Sequence, residues 1–596
     1  MNLSQKRGVT GNNGKPQNRL YTIKRLWDYL MFYKWVFILA IILTVVSNLL
    51  ALVGPLLTGY CIDQIVGVNN VNFKNVYFFG ALMILFYIVS SALSYLISIV
   101  MVNTSKKIVL KMRRDSFDSL MKLPISYFDT NKIGDIISKI SYDIDTVNVS
   151  LSTDLINICT SVVTVITSLI MMIIISPVLV LVFVITIPIA LLFTRFMVKK
   201  TRPMFRNRSQ KLGELNANVE EAFSSLPTIH AYSRKNDIIN RFDEVNKNAT
   251  KASMEAEIHG GITGPGVNFV NNLSFSLICL FGVLLNFYYG LSLGDIQSFI
   301  LYSKKFSGPI NETANIFIEL QSAMAAAERV FNLIDAKKEP ADSKDAINIQ
   351  EKYQDVGDVK LDNVEFGYDI KRKIIKGISF EAKKGEIVAL VGPTGCGKTT
   401  IVNLLMRFYD LDSGSISLND TNIINIKRKS LRQSYSMVLQ DTWLFEDTVY
   451  NNIAYGAKNV TLEDVKRVCK LARVDGFINR LPQGYNTVLS EGGVNISKGQ
   501  KQLLTIARAM LLDCDMLILD EATSNVDTRS EILIQEAMKE LSNNKTCFII
   551  AHRLSTIKNA DKILVMKDGK ILETGTHQEL LDKEGFYYSL YHSQFE

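Results

Sequence analysis

Residues 155–194 run for 40 positions without a charged side chain, broken only at Ser176-Pro177. About 20 apolar residues suffice to cross a bilayer as a helix, so two helices joined by a tight turn fit this stretch. A buried soluble helix of that length would carry a charged face. Three more charge-free stretches, 35–62, 75–105 and 260–294, are also long enough to span. Together they predict five crossings. The composition agrees: 48% of the residues are hydrophobic, and the mean hydropathy of +0.15 is too apolar for a disordered, collagenous or simple soluble chain.

A sixth span over 296–320 is interrupted by Lys304, Lys305 and Glu312, and topology decides in its favour. The N-terminal segment carries Lys6, Arg7, Lys15, Arg19, Lys24 and Arg25 against a lone Asp28, and positive flanks stay in the cytoplasm. The long connections 106–150 and 195–259 are rich in Lys and Arg, whereas the short ones near 63–74, 176 and 290 have almost none. Six spans put every basic connection on one side. Five would leave the C-terminal third on the side opposite the basic connections. Polar Asn311, Glu312 and Asn315 are expected to face a central cavity, and Lys304 and Lys305 to snorkel toward an interface.

The long connections show apolar residues at helical spacing, so the spanning helices are expected to continue into the cytoplasm, with breaks at Leu123-Pro124 and Leu226-Pro227 where a helix pair turns. The first apolar run follows about 34 polar and basic residues with no A-x-A-like site behind it, which reads as a span rather than a secretory signal and leaves no room for an N-terminal peptidase domain. Seven scattered cysteines lack any C-x-x-C pair and predict neither a zinc site nor a disulfide framework. A net charge of +8 is too small to argue for nucleic acid.

From Val359 the texture changes to short β-rich runs alternating with helices, as in an α/β domain. There Gly392-Pro393-Thr394-Gly395-Cys396-Gly397-Lys398-Thr399 matches G-x-x-x-x-G-K-[ST], following a β-rich run and preceding a helical one that opens at Thr400. The glycines let backbone N–H groups turn inward around phosphates, Lys398 reaches the β and γ oxygens, and Thr399 offers a hydroxyl to Mg²⁺. A second apolar run, 516–519, ends in Asp520-Glu521, where a Mg²⁺ carboxylate and a water-activating base are wanted.

The phosphate loop, Gln440 in Val438-Leu439-Gln440-Asp441, Ile496-Ser497-Lys498-Gly499-Gln500, Asp520-Glu521, Ser524-Asn525-Val526-Asp527 and His552 stand in the order and spacing of the ATP-binding-cassette transporters. With six spans in front, the chain from about residue 20 resembles an exporter-type half-transporter. The resemblance implies a multidomain fold: an all-α polytopic membrane domain of six transmembrane helices with long cytoplasmic extensions, then an α/β P-loop NTPase domain. The expected boundaries are a basic tail over 1–19, a membrane domain over 20–325 with spans near 36–58, 76–101, 155–175, 178–198, 265–288 and 296–320, a linker over 326–358 and a nucleotide-binding domain over 359–596.

The resemblance also implies residue roles. Gly392 to Thr400 cradle the phosphates, and Tyr368, by itself an ordinary strand aromatic, stacks on adenine. Gln440 touches Mg²⁺ or the attacking water, Asp520 and Thr399 hold Mg²⁺, Glu521 is the general base, and His552 contacts the γ-phosphate. Ser497, Lys498, Gly499 and Gln500, with Asp527, face ATP held by the opposite subunit, so an obligate dimer is implied. Glu491 and Gly492-Gly493 match the exporter loop that meets the membrane helices. One departure stands out: Lys498 replaces a glycine of L-S-G-G-Q, where backbone approaches phosphate closely. That substitution favours a heterodimer with a second half-transporter and leaves a homodimer open. The implied cofactors are ATP and Mg²⁺; the implied function is ATP-driven export or flipping of a small amphiphilic substrate across the plasma membrane. An ATP-gated channel is the rival, disfavoured by Glu521 and the compact length.

Overall fold

The computed structural model describes residues 19–65, 71–353, 355–369, 372–440, 442–490, 493, 496–520, 527–550 and 557–595. The chain divides into two compact units: Met1–Met121 with Ile133–Ala336, and Lys122–Lys132 with Lys337–Glu596.

The helices up to the linker are α1 (Arg19–Met31), α2 (Lys34–Asp63), α3 (Phe73–Leu120), α4 (Ile125–Thr130), α5 (Ile133–Ile175), α6 (Pro177–Ser224), α7 (Leu226–Ala231), α8 (Lys235–Gly261), α9 (Thr263–Tyr289) and α10 (Leu293–Ile334). Of these, α4 belongs to the second unit. Among the described residues α2, α3, α5 and the run α8–α9 are long and apolar enough to cross a membrane. At 48 residues each, α3 and α6 reach roughly 72 Å, more than twice the hydrocarbon thickness. The turn between α5 and α6 is written locally: the Ser176 hydroxyl accepts the Leu179 amide, and Pro177 needs no N–H partner in the first turn.

The helix seams of this unit mix buried apolar side chains with small polar ones. On α3 the buried positions include Ser90, Thr104, Ser105, Ser116 and Ser119, while Phe78, Ile84, Leu85 and Ile88 are exposed. Lipid offers helices no hydrophobic drive to associate, so small side chains and interhelical hydrogen bonds make the seams. Ser47 and Ser90 each donate to the other's carbonyl at 2.9 and 2.8 Å, and Asn48 donates to the Thr160 carbonyl and the Thr164 hydroxyl, both at 2.8 Å. Asp63, ending α2, accepts the Ser292 hydroxyl and the Gly294 amide at 2.8 Å each and so holds the first turn of α10. A Cβ on Gly294 would stand 2.2 Å from the Gly59 carbonyl oxygen, so the two helices meet there backbone to backbone.

The linker expected over 326–358 is helical up to Ile334. Helix α10 continues because Ala326, Ala327, Val330 and Phe331 bury against Leu30, Ile108, Met112 and Ile144, and Arg329 grips Asp143 at 2.6 and 2.8 Å. Helix α6 packs on α8 and α9, and the short α7 at their junction has no buried residue.

In the second unit β1 (Val359–Phe366), β2 (Ile375–Ala382), β4 (Ser413–Leu418) and β5 (Thr421–Asn422) form an antiparallel sheet in the order β2-β1-β4-β5. A six-stranded sheet has the order β10-β9-β3-β8-β7-β6. Its members are β3 (Ile387–Val391), β6 (Tyr435–Val438), β7 (Met516–Asp520), β8 (Thr546–Ile550), β9 (Lys562–Lys567) and the antiparallel β10 (Lys570–Gly575), the first five being mutually parallel. Strand side chains alternate between faces. Val388 and Leu390 of β3 pack with Ile401, Val402 and Leu405 of α11 (Lys398–Leu405), whereas Ala389 and Val391 pack with Leu503, Leu504 and Ile506 of α12 (Lys498–Leu512).

The start of this unit is held by Arg428, only 6% exposed, which donates to the Pro340 carbonyl at 2.7 Å, to Asp342 at 3.1 Å and to both oxygens of Asp410 at 3.2 Å. Arg432 adds a 2.5 Å bond to Glu339. Removing a buried cation leaves its carboxylates and a carbonyl unpaired, so Arg428→Ala is expected to cost about 2 kcal/mol and to lower the melting temperature by roughly 4–8 °C in thermal unfolding of the purified chain.

Candidate nucleotide site

In the parallel sheet the carboxyl ends of β3, β8, β7 and β6 share one edge, the place where open α/β sheets bind ligands. The phosphate loop follows β3, Gln440 stands two residues past β6, and half-buried Asp520 ends β7. His552 follows β8 and Glu521 follows Asp520 in sequence, but both lie outside the described residues, as do Ser524, Asn525 and Val526 of the following segment and Glu491 and Gly492.

The loop has a floor and a lip. Cys396, Lys398 and Thr400 are buried, whereas Pro393, Thr394, Gly395 and Thr399 are exposed. Burial pushes the Cys396 thiol up from its ordinary range, so it stays a neutral floor group. Two glycines are required by geometry. A Cβ on Gly392 would sit 2.2 Å from the Met566 carbonyl oxygen, and Gly397, at φ +109°, caps α11 where a Cβ would meet Ile375 at 2.7 Å. The Lys398 ammonium donates to the carbonyls of Gly392 at 2.7 Å and Pro393 at 3.3 Å, folded back across its own loop. A buried cation resting on neutral carbonyls, beside the open N-terminus of α11, is suited to exchange them for phosphate oxygens.

Tyr368 follows β1 with its ring 51% exposed. Its hydroxyl donates to Thr400 Oγ1 at 3.3 Å and accepts from Asn403 Nδ2 at 3.2 Å, which fixes the ring against α11 and leaves a face open to a base. Among the described residues no three His, Cys, Asp or Glu side chains cluster to hold a metal. The oxygen donors of Thr399, Gln440 and Asp520 fit Mg²⁺, which is ordinarily held by one or two protein oxygens together with substrate phosphates.

The signature segment is built differently. Ser497 caps α12 reciprocally, its hydroxyl accepting the Gln500 amide at 3.3 Å while Gln500 Oε1 accepts the Ser497 amide at 3.0 Å. Gly499 is buried and Lys498 is exposed. Lys498 is absent from the residues of positive φ, so the lysine replaces glycine without backbone strain and presents its charge to solvent. Helices α11 and α12 lie on opposite faces of the sheet, so the structure does not gather the phosphate loop and the signature on one face. Asp527 caps the helix Thr528–Ser542 by accepting the Ser530 amide at 2.9 Å, and that hydrogen bond holds its carboxyl below the usual range.

Sequence reasoning passes over the residues that shape the loop after Gln440. Buried Asn452 donates to the Phe445 carbonyl at 2.9 Å and accepts its amide at 2.8 Å, while Arg508 donates to the Asn452 carbonyl at 2.8 Å and lies over the Tyr455 ring. Neither belongs to a recognisable spacing; their role comes from burial alone. For the loop itself, Lys398→Ala is expected to weaken ATP binding about tenfold or more, read by titration with a fluorescent ATP analogue.

The ABC transporter transmembrane region matches residues 37–310, and the ABC transporter nucleotide-binding pattern matches 375–524. An ABC transporter ATP-binding protein of Bacillus subtilis (strain 168) is 39% identical over 100% of this chain and 97% of its own length. A fatty acid ABC transporter ATP-binding/permease protein of Mycobacterium tuberculosis is 40% identical over 82% of this chain and 76% of its own. An ATP-dependent lipid A-core flippase of Idiomarina loihiensis is 35% identical over 96% and 98%. Among solved structures, a bacterial Atm1-family ABC exporter with ATP bound superposes with a TM-score of 0.76 at 27% identity, covering 94% of this chain and 98% of that one.

Proposed function

The chain belongs to the ABC transporters, coupling ATP hydrolysis to export across a membrane as a half-transporter that pairs with another half, and from that premise we propose that it moves a lipid-like amphiphile across the cell membrane as one subunit of a heterodimer, its nucleotide-binding part in the cytoplasm. The observation that carries the dimer is the placement of α11 and α12 on opposite faces of one sheet. A chain so built offers two half-sites: a phosphate loop needing a donor from elsewhere and a signature needing someone else's nucleotide. The unburied α7, flanked by exposed Phe223 and Tyr232, suits docking on the partner's nucleotide-binding part.

In the assembled site Tyr368 stacks on the base, the loop amides and Lys398 hold the phosphates, and Thr399, Gln440 and Asp520 present oxygens to Mg²⁺. Bound Mg²⁺ supplies charge neutralisation at the β and γ oxygens. Glu521 takes a proton from the attacking water, and His552 holds that water in line with the γ-phosphate. Binding closes two sites at once, and hydrolysis releases them, which biases the membrane helices between inward and outward openings. The lipid-like substrate class is supported by the fatty acid and lipid A-core relatives.

Glu521→Gln is expected to bind ATP as tightly as the unaltered chain while turnover falls about a hundredfold or more, because it spares the phosphate cradle and removes the base. Binding titrations alongside phosphate release measure both; normal turnover would sink the assignment.

The heterodimer rests on Lys498, which brings charge where the opposite subunit's phosphates arrive. Chain expressed alone should show weak ATPase that rises at least about twofold when a complementary half-transporter is added. A vigorous ATPase unaffected by addition, further accelerated at both sites by Lys498→Gly, would instead establish a homodimer.

A further inference from the structure

One group of contacts is left unused by the ATP chemistry, and it centres on Tyr409 in the segment Arg407-Phe408-Tyr409-Asp410 just past α11. The Tyr409 hydroxyl donates a short hydrogen bond to the Asp129 carboxylate. Asp129 belongs to α4, the turn that joins α3 to α5 and that packs within the nucleotide-binding unit. The other side of the same ring meets the nucleotide site. Its centroid lies 5.0 Å from that of Tyr368 at an interplanar angle of 86°, and 5.5 Å from that of Phe366. Tyr368 in turn is bonded to Thr400 and Asn403 of α11. One phenol therefore touches the aromatic at the mouth of the ATP site with its edge and the membrane-linked turn with its oxygen.

Two features make this contact responsive rather than merely cohesive. Burial and the neighbouring carboxylate push the Tyr409 phenol well above its ordinary range, so it remains a donor and the bond to Asp129 keeps its charge-assisted strength. Such bonds weaken steeply as their alignment is lost. The other end of the turn is tied down separately: the Glu339 amide donates to the Lys122 carbonyl at 2.9 Å, and the Glu339 carboxylate is gripped by Arg432. With Lys122 anchored to the linker, a displacement of the Tyr368–Tyr409 pair acts on the Asp129 end of α4.

We propose that Tyr409 is a positioning residue that reports the seating of adenine on Tyr368 to the α4 turn through Asp129, and so couples base occupancy to the membrane helices α3 and α5. The proposal rests on the reading of Tyr368 as the adenine platform. It assigns to Tyr409 no contact with nucleotide. The signal needs the hydroxyl, whereas the packing needs only the ring.

The test uses the full transporter in lipid nanodiscs, with ATP as the only ligand and the variants Tyr409→Phe, Asp129→Ala and their combination. Hydrogen exchange of residues 122–132 is followed with and without ATP, beside ATP affinity and the kcat and KM of hydrolysis. Tyr409→Phe should bind ATP within about twofold of the unaltered protein and melt at the same temperature, yet lose the ATP-dependent change in exchange at 122–132 and about threefold in kcat with KM unchanged. Asp129→Ala, which removes the acceptor, should do the same, and the double variant should be no worse than either. Full retention of the ATP-dependent change in either single variant, or additive losses in the double one, would overturn the relay. Tyr368→Ala separates the two readings. Unchanged ATP affinity in that variant defeats the adenine assignment itself. Weakened affinity there, with exchange at 122–132 still responding to ATP in Tyr409→Phe, defeats only the relay.

Discussion

Strand β3 buries both of its faces, and because its side chains alternate, the two helices that bear the nucleotide motifs are held apart. Val388 and Leu390 seat α11 behind the phosphate loop, while Ala389 and Val391 seat α12 behind the signature. No loop adjustment on the sheet edge changes this, since exchanging the faces would require a one-residue slip that sends every buried side chain into the opposite layer. The dimeric logic of the transporter follows from this alternation. In the proposed dimer, nucleotide recognition is divided between chains because the sheet divides the two motifs within each chain.

The membrane unit answers a different constraint. Within lipid the backbone must satisfy itself, so the chain forms long helices, and their seams are made by groups that a soluble core would place outside. Ser47 against Ser90, Asn48 against Thr160 and Thr164, and Asp63 on the first turn of α10 are all polar side chains spent on helix-to-helix contact. Gly59 and Gly294 contribute by having no side chain at all. These contacts pair α2 with α3, α5 and α10, while α6 packs on α8 and α9, and Leu179 and Phe183 of α6, Ile278 of α9 and Phe299 of α10 share one apolar core.

Ion pairs mark where the chain passes between these regimes. Asp335, capping α10, is held by Arg25 and Tyr21 of α1, and a few residues later Glu339 and Asp342 are held by Arg432 and Arg428. Within the nucleotide-binding unit, the contact between Tyr409 and Asp129 ties the α4 turn to the segment that follows α11.

The amino-acid sequence alone determined the parts whose physics is local. A charge-free run of sufficient length specifies an apolar helix, and Ser176-Pro177 specifies the turn between α5 and α6, although among the described residues the strongly apolar part of α6 is only Pro177–Thr186. The spacing of Gly392, Gly397, Lys398 and Thr399 likewise specifies a phosphate loop, because those residue types are needed within one turn of backbone. Lys498 was legible as a departure, and its harmless backbone geometry was not. The span expected over 296–320 rests on the side on which basic residues fall, and α10, which is not among the described helices long and apolar enough to cross, carries on to Ile334 because Val330 and Phe331 find a core assembled from α1, α3 and α5. Only the tertiary structure decided the division of α11 and α12 between the sheet faces, the grip of Arg428 on the linker, the hold of Asp63 on α10 and the meeting of Tyr409 with Asp129 across 280 positions of sequence. These depend on which distant surfaces become neighbours when apolar area is buried, and a side chain's own neighbours along the chain carry no record of that.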